Sequence, residues 1–144
     1  MDNETNESPE WPWYWARFIL ERAEAAGVSV QLTEMWDDKS LGEQEHGLTY
    51  HHPELFSYVD ISQNNHQGYR RHWDQMQAFR ERIRQTGRIR PMNTVKIYGA
   101  NTGHFGTGRD AQERFWRNVL GGIAGTRFHR PPAGIGLSDV AQAH

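Results

Sequence analysis

The chain has 144 residues, enough for one hydrophobic core and short for two. A formal net charge of -2, 36% apolar residues and a mean hydropathy of -0.87 leave no apolar run near the roughly 18 residues that cross a bilayer, and no charge excess to draw nucleic acid or anionic lipid. Zero cysteines remove disulfides and thiolate metal sites and fit a reducing compartment.

The first ten residues, MDNETNESPE, carry four acids, no base and no large side chain except Met1. They read as a disordered acidic tail over 1–10 and lack the apolar centre of a signal peptide, so the expected location is the cytoplasm. Without those acids the net charge of -2 becomes +2. Residues 11–144 are then expected to form one domain.

From Trp13 to Ala26 the apolar positions Trp15, Phe18, Ile19, Ala23 and Ala26 keep helical spacing, and Gly27 stands where a helix stops. VSVQLTEMW next sets Val28, Val30 and Leu32 on one face at period two, with Ser29, Gln31 and Thr33 on the other, which predicts a strand. DDKSLGEQEHGLTYHHPE is too polar and glycine-broken for a long helix. FSYVDISQNN then alternates Val59 and Ile61 against Tyr58, Asp60, Ser62 and Asn64, a second strand. Between Gln67 and Gly87 the stripe Tyr69, Trp73, Met76, Phe79 and Ile83 predicts the most regular helix of the chain. TVKIYG predicts a third strand, with Val95 and Ile97 on one side and Thr94, Lys96 and Tyr98 on the other. A glycine loop, GANTGHFGTG, leads to a helix from about Arg109 to Leu120 with Phe115, Trp116, Val119 and Leu120 apolar. GTRFH predicts a fourth strand, and Ser138 caps a last helix that the chain end cuts short.

Helices alternating with strands imply an α/β fold with a parallel sheet, and function in such sheets gathers at the carboxyl ends of strands. Four strands make about half of an eight-stranded barrel. The candidate residues are Glu34, Trp36 and Asp37 at the first strand end; Asp60, Ser62, Gln63 and Asn64 at the second; Lys96 and Tyr98 at the third; Arg127 and His129 at the fourth. In the last three strands polar side chains share one parity and apolar ones the other, as a polar barrel interior backed by helices requires. Glu34 is the exception. Strict alternation groups it with Val30 and Leu32, so it faces such an interior only if its strand ends or bulges there.

The series LTEMWDD, YVDISQNN, VKIYG and ERFWRNVLGGIAGTRFHRPPAGIG resembles the second half of eight-stranded β/α-barrel glycoside hydrolases, in particular the apiosidase-like group. The resemblance covers roughly residues 13–144 through short motifs. It implies Glu34 as general acid/base and Trp36 beside it as a sugar-stacking surface, with Asp37, Ser62, Asn64, Lys96, Tyr98, Arg127 and His129 around a carbohydrate. Thr33 stands where that group usually has Asn, and VKIYG carries Lys96 in the strand that would supply the nucleophile. Glycosidases need two carboxylates, about 5 Å apart for retention or about 6.5–9.5 Å for inversion. Asp60 is the strand-end acid that adjoins Glu34, and the alternative to hydrolysis is a non-catalytic carbohydrate-binding or structural barrel fragment with Glu34 in an ion pair to Lys96 or Arg127.

Other signals point to blander roles. GHFGTGRD offers backbone N–H groups to a phosphate between strand and helix, an alternative ligand reading for 103–108, but follows neither Gly-rich nucleotide pattern. His46, His51 and His52 lack metal-ligand spacing, so no metal and no cofactor is expected. Seven arginines between Arg70 and Arg90 read as the solvated face of a helix and not as an RNA surface. Trp11, Trp13, Trp15, Trp73 and Trp116 are expected in the core. A half-barrel leaves two unpaired sheet edges, so the expected state is a homodimer, or a multiple of it, that closes one barrel around a two-fold axis.

Overall fold

A computed structural model describes residues 8–35, 47, 49–98 and 108–129. The opening helix, α1, spans Glu10–Ala25 and begins before Trp13. Pro12 lies in its first turn, where backbone N–H groups lack an intrahelical acceptor, so the ring removes no hydrogen bond. Gly27, at φ +68°, supplies the left-handed residue that ends the helix, and Val28 N–H returns to Ala23 O at 2.9 Å.

Residues 28–34 form no regular strand, which corrects the alternation read in VSVQL. Hydroxyl groups stand in for a ladder. Leu32 N–H donates to Ser57 Oγ at 3.0 Å and Ser57 N–H donates to Leu32 O at 2.9 Å. Thr33 Oγ1 donates to Tyr58 O at 2.9 Å and accepts from Asp60 N–H at 3.2 Å. The two segments advance together, so 30–34 runs parallel beside 57–60.

The second strand, expected to be long, is the two residues Val59–Asp60, here β1. Asp60 Oδ1 accepts from Ser62 N–H at 2.8 Å, and this side-chain turn diverts the backbone into a 3₁₀ helix at Ser62–His66. Then follow α2 (Tyr69–Gln85), β2 (Met92–Tyr98), α3 (Gly108–Leu120) and β3 (Gly125–His129). The strands form one sheet in the order β1-β2-β3, parallel throughout. The fold is therefore α/β with helices between parallel strands, and among the described residues the sheet has three strands. The helix expected from Ser138 and the loop at 103–107 lie outside the described residues.

A β-bulge changes which side chains share a face. Thr94 pairs with Thr126 and Ile97 pairs with Phe128, so β2 spends one more residue than β3 between those points. Thr94 and Ile97 therefore lie on one face, where strict alternation sets them on opposite faces. This corrects the sharing expected for Thr94, Lys96 and Tyr98. Val95 and Lys96 together oppose Arg127.

Two apolar clusters hold the elements. Met76, Phe79 and Ile83 of α2 pack on Val59, Ile61, Met92, Ile123 and Tyr50. Ala16 of α1 packs with Leu55 and Phe56, flanked by Trp13, Leu20 and Leu32. Arg90 bridges them. It is 5% exposed, and its guanidinium donates to Thr49 O (2.6 Å), Phe56 O (2.9 Å) and Tyr50 O (2.8 Å), so one of the seven arginines assigned to a solvated face is a buried clamp.

The helix stripes are also rotated. In α2 the fully buried set is His72, Met76, Phe79 and Ile83, whereas Tyr69 and Trp73 at the front of the predicted stripe are exposed. In α3 the buried residues are Ala111, Arg114 and Asn118, while Trp116, Val119 and Leu120 are exposed. Polar partners on the sheet side explain both departures, since a buried polar group is tolerated where hydrogen bonds meet it.

Candidate functional site

Glu34 follows the hydroxyl-bonded segment 32–33 and is 2% exposed. Its Oε2 accepts from Thr49 Oγ1 at 3.2 Å, so the carboxylate turns toward the helical residues 49–51. Glu34 lines a cleft of about 280 Å³ between α1 and its own segment. Trp11, Trp15 and Ile19 of α1 form one wall, Leu32, Thr33 and Glu34 the other, and Phe56 completes the lining.

The tryptophans come to this cleft because α1 places residues 11, 15 and 19 one turn apart on one face, and the reversal at Gly27 lays the first turn of α1 beside the end of 28–34. Trp11 and Trp15 are 40% and 42% exposed, with ring centroids 6.2 Å apart and tilted by 60°. The expectation that they sit in the core is corrected. The i, i+4, i+8 spacing of Trp11, Trp15 and Ile19 was visible in the sequence; that it faces a cleft with a carboxylate was not.

Asp60 is 3% exposed and differently occupied. Its Oδ1 accepts from Ser62 N–H and its Oδ2 accepts from Asn93 Nδ2 at 3.0 Å. Burial pushes this carboxyl up from the usual range, against the downward pull of the Ser62 and Asn93 hydrogen bonds. Thr33, next to Glu34 in the chain, links that segment to Asp60: its hydroxyl accepts from Asp60 N–H at 3.2 Å.

The remaining candidates divide between strand ends and the core. Ser62 Oγ accepts from Val95 N–H at 2.8 Å and Asn64 Nδ2 donates to His72 O at 2.9 Å, so both organise backbone. Lys96 is 3% exposed within the bulge, and Arg127 opposite it is exposed. Tyr98 and His129 are paired in register at the carboxyl ends of β2 and β3. Trp36 and Asp37 lie outside the described residues, as does His46. Among the described residues no three His, Cys, Asp or Glu side chains gather, and no helix is long and apolar enough to cross a membrane.

A buried network that the sequence did not announce joins both helices to the sheet. Asn65 Oδ1 accepts from Asn118 Nδ2 (3.2 Å) and meets His72 Nε2 (3.0 Å), while Asn65 Nδ2 donates to Thr94 Oγ1. Asn118 Nδ2 also reaches Thr126 Oγ1 at 3.3 Å. Arg114 donates to Asn65 O and Gln67 O and pairs with Asp110 at 2.8 Å. Burial, then the charges of Arg117 and Arg114, hold the His72 imidazole down at about 3, so it is neutral and uses Nε2–H as the donor to Asn65. The polar atoms named here tie the helices to the sheet, while the Glu34 cleft combines a buried carboxylate with half-exposed tryptophans. Compared with family models, curated proteins and solved structures, the chain matches none.

Proposed function

We propose that this chain is a half β/α barrel of glycoside-hydrolase type that binds carbohydrate at Glu34, with Glu34 as the acid/base in hydrolysis of a glycosidic bond. One observation carries the reading: a buried carboxylate at the end of the segment beside β1 lines an apolar cleft whose other wall holds two half-exposed tryptophans. Tryptophan faces take the C–H surface of a sugar, and a carboxylate takes its hydroxyl groups or gives a proton to the leaving oxygen. The parallel sheet with helices between strands supports the same reading at the level of architecture.

Binding stands ahead of turnover. Hydrolysis needs a second carboxylate within roughly 10 Å of the first, and Asp60 has both oxygens engaged by Ser62 and Asn93. A carbohydrate-binding role needs only the tryptophans and Glu34. Hydrolysis of a panel of aryl glycosides by wild type and Glu34→Gln separates the two: loss of activity in the variant makes Glu34 the acid/base, and no activity in either leaves binding. Isothermal titration with the matching methyl glycosides then decides binding itself, and no heat with any of them removes the carbohydrate reading.

A further inference from the structure

We infer that the cavity at the amino end of β2, between the last turn of α2 and Gly122, is a binding site for a phosphomonoester with an apolar body, its phosphate held by Arg80 and Arg84. The cavity shares no lining residue with the Glu34 cleft, so the inference goes beyond the carbohydrate reading and stands without it.

The first ground is charge. Residues 80–92 carry five arginines and one acid, Glu81, in a chain whose net charge is -2. The dipole of α2 accounts for the bases in its last turn, Arg82 and Arg84. It does not account for Arg80, Arg84 and Arg90 around one cavity whose described lining holds no carboxylate. Burial, and then the charge of Arg88, pull the Arg90 guanidinium below its ordinary value, so like charges here feel one another. Arg84 meets Glu81 Oε2 at 3.0 Å in an exposed pair, a weak contact in water that exchanges readily for a phosphate.

The second ground is the placement of Arg80. Gly122 follows α3 at φ +78°, and a Cβ there meets Arg80 Nη2. A glycine at this turn therefore lets the guanidinium lie against the backbone, while Nη1 donates to Gln77 Oε1 at 3.3 Å. An arginine seated in this way keeps its fork oriented for an oxyanion, which a fully solvated one does not.

The third ground is shape. The cavity holds about 430 Å³, within the range of small-ligand sites. Buried Ile83 and Met92 floor it, and Ile89, 81% exposed, stands at its rim. An apolar body on the ligand covers these side chains, and the two arginine forks match the roughly -1.5 to -2 charge of a phosphomonoester at neutral pH.

Isothermal titration with phenyl phosphate tests the site. Wild type is expected to bind it about tenfold tighter than inorganic phosphate, because the ring reaches the apolar floor. Arg80→Gln and Arg84→Gln each weaken binding by about tenfold with circular dichroism unchanged. Arg70→Gln, in the first turn of α2 and also exposed, binds as wild type does. No heat with phenyl phosphate overturns the proposal, as does equal affinity for inorganic phosphate, or binding that survives both Arg80→Gln and Arg84→Gln. An Arg70→Gln protein that loses binding also overturns it, because the attraction is then that of the whole surface. Cosedimentation with phosphatidylcholine vesicles containing phosphatidic acid distinguishes the source: pelleting that Arg80→Gln abolishes supports a lipid-borne phosphate, and binding of phenyl phosphate without pelleting supports a free one.

Discussion

At the β2–β3 side of the molecule, Asn65 ties His72, Thr94 and Asn118 together beneath two helices, and Arg114 of α3 donates to the carbonyls of Asn65 and Gln67. At the α1 side, Trp11 and Trp15 stand half-exposed over a cleft, and the segment below is held by the hydroxyl groups of Ser57 and Thr33 in place of a strand ladder. One end spends its polar residues on closing the fold; the other leaves an apolar wall and a carboxylate beside open space. The difference teaches where function is to be sought. Polar residues alone do not mark a site here, since the most polar interior belongs to the structural end.

Arg90 joins the two regions, and removing it breaks the comparison most severely. Arg90→Met strips three buried carbonyls of their donor, and about 4 kcal/mol of unfolding free energy is expected to go. Urea denaturation measures it; a loss under about 1 kcal/mol means that water serves those carbonyls as well.

Asn65→Leu acts on the sealed end alone. It leaves His72, Thr94 and Asn118 without their shared partner and is expected to lower stability by about 3 kcal/mol, with the protection of α1 amides unchanged. If α1 loosens equally, the two regions are not separate.

The same end carries a pH signature. His72 sits at about 3 when folded and near the ordinary histidine value of 6.5 when unfolded, so the unfolded chain binds the extra proton between those values. Stability is fully present above 6.5 and falls with pH toward 3, by about 2 kcal/mol between pH 7 and pH 5. Asp60 acts with the opposite sign, because a carboxyl raised in the folded state favours folding as it is protonated. The difference between wild type and His72→Gln isolates the histidine; parallel stability curves for the two proteins would show that His72 is not held neutral.

Gly121→Ala tests packing between α2 and α3. A Cβ there meets Met76 Cε and Sδ and lies 2.7 Å from Arg117 O. The methionine end yields and the backbone oxygen does not, so a loss of about 1–2 kcal/mol in thermal melts is expected. An unchanged melting temperature contradicts this packing.

Much of the fold was legible because apolar periodicity survives in the parts that obey it. The bounds of α2, α3 and β3 followed from Met76, Phe79 and Ile83, from the Phe115 to Leu120 run, and from GTRFH. What each element faces was less legible. Asn118 and Arg114 replace apolar residues on the buried side of α3, and no spacing rule anticipates that Asn65, far away in sequence, will satisfy them. The bulge in β2 is equally silent, since nothing in NTVKIY marks the extra residue until β3 is laid beside it. For the site, Glu34 was named from sequence while Trp11 and Trp15 were set aside as core, because helical spacing reports that a face is apolar and not whether anything covers it.

The central claim is that the interior beneath α2 and α3 is tied together by its own polar network while the cleft at Glu34 is open to a ligand. Peptide-level amide hydrogen exchange with and without a panel of methyl glycosides tests it directly. On this account protection over 92–97 stays the same, while protection over 30–34 rises with a glycoside that binds. Protection over 30–34 that no glycoside changes, or that rises equally over 92–97, contradicts it.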